Sequence, residues 1–599
     1  MKSRIFALLI FIVHIFATEA KSTVQNVVIN SASDEYSFVE GSKGPEVRHV
    51  RKVEYLATRH SQKIQPHIFY NNVVRLDKAS GGKLQYRNVN SPTVFHDDSK
   101  VCFFDLFLEA KGKKGKAEFR RTFTDAAHFT EVFVEEEWPV INKTLTFNIP
   151  SSMSGIRLVD ANFPSQGIVR NEESFSDGSR RVTYTVTGLS EMPDDKSAPS
   201  ALVCRPHITV AGYFPDTDSL YRYHKHILEV DTVIDGVNDL LSGILGDASD
   251  SGEIIDKLYA FVCKSIRYVA FEEGEAAFRP ETPSETLRKH YGDCKSMSLL
   301  LATLLNRAGI EACVATVGTN SIPYRIAENP SLAAADHMIC VVRNSSGTLF
   351  LDPTHEQISS RHIPVWIRGK DAMMFTPDGY SMVDIPNESP CASVDEAVYE
   401  YSLSDEGFIG RVSRECTEDM AEMLYSSISS VPGQHLKGVV AKMLVPSVRA
   451  SVFPDSVKLD DSFPGKISFS APISNPSALT EVNGCIYLDL NTSGDPFTEK
   501  IDTVGRRSDY AIPALAKIIR KSSVVIPHGM KVGLPDNYEA SSPHAKLSCR
   551  FCAEGNSVTM TKILEVQSLV IPLSDIPEWN RRLAEWNEAC NQQIEITEK

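Results

Sequence analysis

Cysteine is scarce, with twelve residues in a chain of 599. That density excludes a disulfide scaffold, the usual device of small exported domains with too little core, although a few bridges stay open to an exported chain. Spacing alone does not reveal which cysteines pair. One CxxC occurs, Cys549-Arg550-Phe551-Cys552, and no second CxxC or His pair accompanies it to complete a tetrahedral zinc site. Residues 546–554 alternate like a strand, with Leu547, Cys549, Phe551 and Ala553 on one face and Cys552 on the other.

Cations are also in deficit. Lys+Arg 62 against Asp+Glu 77 gives a net charge of −15, which argues against nucleic acid or an anionic membrane surface as the main partner. Beyond the N-terminus no apolar run is long enough for a membrane-spanning helix. Internal repeats and low-complexity tracts are absent, which excludes solenoids and propellers. With 42% hydrophobic and 23% charged residues, the chain has ordinary globular composition. Its length is about four times the ~150-residue prior for one domain, so three or so separate cores are expected.

Residues 1–20 read as a secretory signal. Lys2 and Arg4 form a basic start, residues 5–16 are mostly apolar, and Thr18-Glu19-Ala20 offers a small-residue cleavage site. The apolar stretch, about a dozen residues, falls short of the roughly 20 needed to span a bilayer. Cleavage would leave a periplasmic, extracellular or lumenal chain of net charge −16, through loss of Lys2, Arg4 and Glu19.

From residue 21 to 229 short strand-like runs alternate with polar turns, which predicts a β-sandwich-like domain. The run Lys111-Gly112-Lys113-Lys114-Gly115-Lys116 reads as a solvated turn. From 230 to 390 helical stripes appear. Ile254, Ile255, Leu258, Phe261 and Val262 form one apolar face, and Thr282-Pro283-Ser284-Glu285 is a capping box opening a second helix. A third helix begins at Asp293-Cys294, carries Met297, Leu300, Leu301, Leu304 and Leu305, and meets a C-terminal cap at Gly309. From 391 to 599 strand-like runs return (466–470, 485–490, 557–560, 563–566), with helical segments at 511–519 and 577–594. The last places Trp579, Leu583, Trp586 and Cys590 on one core-facing stripe.

Cys294 is the candidate nucleophile, because free N–H groups and the dipole at a helix start stabilise a thiolate. Its partner is sought in a hairpin. His337 opens the strand 337–343, which turns through Asn344-Ser345-Ser346-Gly347 into 348–352. If Arg343 faces Thr348, then His337, Ile339, Val341, Phe350 and Asp352 share one face, and Met338, Cys340, Val342, Leu349 and Leu351 the other. His337 and Asp352 become diagonal neighbours about 7–8 Å apart at the backbone, within reach of a hydrogen bond. The second face, wholly apolar, is expected to pack on the core and leave the first for the site.

These residues resemble a known family. Tyr291-Gly292-Asp293-Cys294-Lys295-Ser296, the apolar helix ending in Arg307-Ala308-Gly309-Ile310, Asp336-His337 opening a strand and Leu351-Asp352-Pro353-Thr354 closing the next are similar to the core of the transglutaminase-like superfamily of papain-type folds. Phe278-Arg279-Pro280 and Glu285-Thr286-Leu287 add to the likeness, which covers residues 240–385. More narrowly, the chain resembles exported bacterial proteins with a β-rich domain before such a core. The implied architecture is an α+β multidomain chain, a papain-like transglutaminase core between N-terminal and C-terminal β-sandwich-like domains.

By the same resemblance Cys294 is the nucleophile, His337 the general base and Asp352 its orienter, with no cofactor or metal. The implied reaction is acyl transfer or hydrolysis at a peptide or Gln amide of a protein substrate, one from the cell envelope included. The competing class is a non-catalytic exported scaffold. Two positions depart from the pattern: Ser296 stands where many narrower relatives carry an acidic residue, and the upstream oxyanion donor has only Tyr268 as a weak candidate, a residue that reads better as a core tyrosine at a strand start. Lys295 reads as a solvated first-turn lysine, or as a group acting on Cys294 or a substrate carboxylate.

Overall fold

The structure is a computed structural model that describes residues 26–89, 96–272, 279–344, 347–404, 407–445, 450–461, 464–491 and 494–598. The signal segment 1–20, Phe278 and the hairpin turn residues Ser345 and Ser346 lie outside the described residues. No helix of the described residues is long and apolar enough to cross a membrane.

The N-terminal region is built on long alternating strands. Val27–Glu40 pairs antiparallel with Pro45–Ala57 and parallel with Val140–Ile149, within a seven-stranded sheet. Tyr36, Phe38, Leu145, Phe147 and Tyr184 on one face of that sheet close against the strand His207–Ala211, buried at all five positions. The lysine run starts the strand Lys114–Phe123, and Lys114 and Lys116 ion-pair with Glu54 at the surface.

The central region has helices on one side of a five-stranded antiparallel sheet. Ser251–Ser265, Pro283–Lys289 and Cys294–Arg307 are the three expected helices. Thr282 caps the second by accepting from Glu285 N, as its capping box requires. The third ends in a Schellman motif: Ile310 N bonds Leu305 O and Gly309 N bonds Asn306 O, with Gly309 at φ +84°. Leu300, Leu301, Leu304 and Leu305 are fully buried against Cys340, Val342 and Leu351 of the hairpin. The hairpin register is the symmetric one, with Arg343 opposite Thr348 and Cys340 opposite Leu351.

The other hairpin face differs from expectation. Ile339, Val341 and Phe350 are not open to a site but cluster with Ile363 and Ile367, and with Met374 and Val383 alongside them in the same sheet. The chain after Asp352 folds back over this face, while the strands Asp371–Thr376 and Gly379–Asp384 extend the sheet beyond Ala312–Val317. Only His337, at the strand end, and Asp352, just past its partner strand, remain at the margin.

The C-terminal region carries an eight-stranded sheet with the helices Glu418–Ile428, Gly433–Leu444 and Ile576–Cys590 sharing its core. Trp579, Leu583, Trp586 and Cys590 are all buried, as their spacing predicts. Residues 557–560 and 563–566 belong to one strand, Ser557–Val566. The helix expected at 511–519 is not formed; Lys517–Val525 is an interior strand between Val394–Ser404 and Ser557–Val566. Its buried face carries Arg520, bonded to both carboxylate oxygens of Asp395 at 3.0 and 2.8 Å. A paired buried arginine disguises the apolar alternation by which a strand is recognised. Cys549 is buried and Cys552 exposed on opposite faces of Ala545–Glu554, and Cys549 shares a core with Cys590 of the terminal helix.

Candidate active site

Cys294 is the first residue of its helix, and Asp293 is the N-cap. Asp293 Oδ1 accepts from Ser296 N (3.0 Å) and Ser296 Oγ (2.9 Å), while its Oδ2 pairs with Lys295 Nζ. Lys295 is therefore not a solvated first-turn lysine. It is buried on the cap carboxylate, a geometry that neutralises charge beside the cysteine. Ser296 Oγ also accepts from Glu281 N (3.1 Å), so the serine ties the segment before the second helix to the cysteine turn. The N–H groups of the first turn have no helical acceptor, which makes this turn a fitting place for a negative atom.

His337 arrives from across the sheet. Val317 pairs with His337 at the end of the Ala312–Val317 ladder, and Ser298 Oγ on the cysteine helix bonds Met338 O (3.0 Å), pinning helix to strand. His337 Nε2 lies 2.9 Å from Asp352 Oδ2, and the Cys294 thiol is near enough to the ring to help raise its pKa. Commitment of Nε2 to the carboxylate leaves Nδ1 as the ring nitrogen for the sulfur. The three residues named from sequence thus meet in the order Cys, His, Asp. The histidine and cysteine are nearly enclosed, Cys294 being 6% exposed.

Asp352 is the most heavily held of the three. Its Oδ2 accepts from His337 and from Trp366 Nε1 (3.1 Å), and its Oδ1 from Thr354 N (3.2 Å) and Thr354 Oγ1 (2.7 Å). Tyr259 OH bonds the Asp352 carbonyl (2.8 Å), and the His355 ring sits 4.3 Å from that of Trp366. Burial opposes charge on Asp352, yet the His337 charge, the hydrogen bond from His337 and the His355 ring nitrogen 3.7 Å away hold its carboxyl well below the usual range. Burial likewise opposes the His337 imidazolium, and the Asp352 carboxylate together with the bond to it and the nearby Cys294 thiol hold it well above its ordinary value. The two shifts agree in sense, since each group stabilises the other's charged form.

Some of these holders were not legible from sequence. The Asp352–Thr354 bonds follow the local Asx-turn pattern and could have been read from Asp352-Pro353-Thr354. Trp366 could not, because only the fold-back of 355–370 brings it near. That fold-back is anchored by the C-terminal region: His362 Nε2 lies 3.0 Å from Asp419 Oδ2, and Ser359 N bonds Glu418. Asp336 beside His337 faces away, holding Thr319 N and Oγ1, both at 2.7 Å. Tyr268, the oxyanion candidate, pairs in register with Gly292, two residues before Cys294, and packs on the helix core. Among the described residues no three His, Cys, Asp or Glu side chains group as metal ligands.

Residues 238–325 match the model of the transglutaminase-like superfamily. That segment belongs to the superfamily. The match includes Cys294 and stops before His337 and Asp352, which the transglutaminase-like core acquires from the adjoining hairpin. Residues 486–596 match a domain of unknown function with a solved structure, DUF3858. Over the whole chain the fold is similar to a solved "putative protease" from Parabacteroides distasonis, 12% identical, covering 95% of this chain and 99% of that one at a TM-score of 0.58. A "putative cysteine protease" from Cytophaga hutchinsonii is 8% identical over 52% of this chain and 76% of its own, at a TM-score of 0.17 too low to carry an argument. No curated protein matches the chain. The fold is thus a transglutaminase-like, thiol-enzyme core with β-rich regions before and after it.

Proposed function

We propose that this chain is an exported thiol enzyme that transfers or hydrolyses acyl groups at peptide or Gln amide bonds, with Cys294 as nucleophile, His337 as general acid and base, and Asp352 as its orienter. The observation that carries this reading is the placement of Cys294, first residue of its helix, beside a His337 ring that is bonded to an Asp352 carboxylate fixed by four donors. The description of the full-length fold neighbour as a protease favours the same class.

In this reading His337 takes the thiol proton, Cys294 Sγ attacks the amide carbonyl, and N–H groups of the first helical turn receive the developing oxyanion. His337 gives its proton to the leaving amine, so the C–N bond breaks to a neutral amine and a thioester on Cys294. Water, or a second amine, then attacks the thioester while His337 takes its proton, releasing acid or a new amide. Asp352 keeps the ring in one tautomer and stabilises its charged form through both steps. Export rests on the N-terminal segment, and a periplasmic or extracellular location follows from it.

The test is a screen of the purified mature chain on peptide, Gln-donor and cell-wall substrates beside Cys294→Ser. Turnover in the native chain and none in the variant supports the enzyme. A Cys294→Ser strain with normal protein abundance and an unchanged phenotype would refute it in favour of a non-catalytic scaffold.

A further inference from the structure

The N-terminal region holds a cavity of about 260 Å³ whose lining residues all fall between Asp34 and Arg205, so it shares nothing with Cys294, His337 and Asp352. Its floor is a charge network rather than a packed core. Arg51 bonds Asp34 (2.9 Å) and Glu136 (2.8 Å), and Lys143 bonds Glu136 (2.6 Å) and lies 3.8 Å from Asp34. Two cations and two carboxylates balance. Arg205 and Glu135, 2.8 Å apart, form a second balanced pair on the wall.

Arg121 breaks this balance. Its Nε donates to His49 Nδ1 (3.0 Å) and its Nη1 to the Phe69 carbonyl (3.0 Å), and it belongs to none of the ion pairs among the described residues. His49 serves as a neutral acceptor: its Nε2 donates to Asp34 Oδ1 (2.8 Å), and burial pushes its pKa down to about 4. Tyr36 stacks on the His49 ring at 4.3 Å and locks its plane. Arg121 is therefore held by two neutral acceptors and by the Phe123 ring, 5.2 Å from its guanidinium carbon, and it lines the cavity.

A half-buried guanidinium that belongs to no ion pair gains from a counter-charge, and its planar fork matches a carboxylate. The wall around it is aromatic, with Phe69, Phe123, Phe129, Phe133 and Trp138 lining the space. Two further carboxyls line it, Glu131 beside Thr130 and Glu137 3.9 Å from His67, and burial raises the pKa of both. A cavity of this size takes a ring-sized ligand rather than a long chain.

We propose that this cavity is a binding site for a small organic carboxylate with an aromatic or apolar body, the carboxylate taken by Arg121 and the body by the phenylalanine and tryptophan wall. The carboxylate is either that of a free acid or the C-terminus of a short peptide with an aromatic last residue. This site goes beyond the proposed acyl-transfer function and does not depend on it.

The test is isothermal titration calorimetry of the full mature chain with benzoate, phenylacetate, Nα-acetyl-phenylalanine and phenylacetamide. Saturable binding of at least one carboxylate, with phenylacetamide about tenfold or more weaker than phenylacetate, is the expected result, since the neutral amide leaves Arg121 unpaired. Tighter binding of Nα-acetyl-phenylalanine than of the two free acids assigns the peptide terminus; the reverse assigns the free acid. Arg121→Gln should weaken the bound carboxylate by about tenfold or more, and Arg121→Lys by less. Should Arg121→Gln fail to fold, the acid-to-amide ratio on the native chain decides alone. Cys294→Ser should bind unchanged, which separates this site from the proposed active site. Absence of binding by all three carboxylates, equal binding of the amide, or loss of binding in Cys294→Ser would overturn the proposal.

Discussion

Asp352→Asn exchanges one oxygen for an NH2 at a position where both oxygens are in use. Oδ2 receives two N–H donors, His337 Nε2 at 2.9 Å and Trp366 Nε1 at 3.1 Å; Oδ1 receives Thr354 N at 3.2 Å and Thr354 Oγ1 at 2.7 Å. The amide can be placed two ways. With NH2 toward His337, the imidazole can change tautomer, but the Trp366 N–H then faces another donor. With NH2 toward Thr354, the hydroxyl can rotate, but the Thr354 N–H loses its acceptor. Either placement leaves one buried N–H unsatisfied, at about 1–3 kcal/mol, and strips the charge from the remaining bonds. The total comes to about 2–4 kcal/mol, or roughly 30- to 1,000-fold in an opening equilibrium at 1.36 kcal/mol per decade.

Hydrogen exchange of the His337–Asn344 amides measures that opening without requiring the whole chain to unfold in one step. Trp366→Phe supplies the internal control. With NH2 toward His337 it removes the donor that the amide cannot satisfy and should cost less in the Asp352→Asn background than in the native one, whereas with NH2 toward Thr354 the two effects should add, so the coupling tells the two placements apart. Protection in Asp352→Asn within about threefold of the native chain would refute the account of Asp352 as a carboxylate filled by four donors.

Cys294→Ser should abolish acyl transfer and iodoacetamide labelling at this position while shifting stability by less than about 1 kcal/mol, as mass spectrometry and urea denaturation would report. The Asp352 contribution depends on pH in a fixed sense: its folded value lies below the ordinary 3.8, so its stabilisation is complete above that value and lost as pH falls through the folded one. The gap in Tm between native chain and Asp352→Asn should therefore narrow on acidification below about pH 4, and a gap that widens there would contradict the sign. Leu301→Ala, at a fully buried position of the cysteine helix, should cost about 2–5 kcal/mol by urea denaturation. Gly309→Ala meets no atom within 4 Å but must hold φ +84°, so its cost should be purely conformational, about 1 kcal/mol.

Much of the core was legible because its signals are local. Helix starts and stops are written in neighbouring residues, Thr282 to Glu285, Asp293 to Cys294 and Gly309, and each cap formed as its chemistry requires. The hairpin register followed from turn position and alternation, and placed His337 near Asp352 before any fold was known. The failures share one cause. Residues 511–519 were read as helical, but at Lys517 the chain enters an interior strand that buries Arg520, and only the Asp395 carboxylate from another strand makes that burial tolerable. Lys295 looked solvated because a first-turn lysine ordinarily is, and its burial depends on the turn of Asp293 toward it.

By itself, then, the chain's alternation and capping determined the elements and the face on which each reactive side chain stands, since these depend on contacts one to four residues apart. The tertiary structure decided what surrounds them. It closed the His337 face with Ile363 and Ile367, brought Trp366 onto Asp352 through a segment latched to Asp419, and left Arg121 facing a cavity without a counter-charge. Those outcomes depend on loops returning from distant sequence, where the free energy of burial and of pairing charges selects the partner and no local period records the choice.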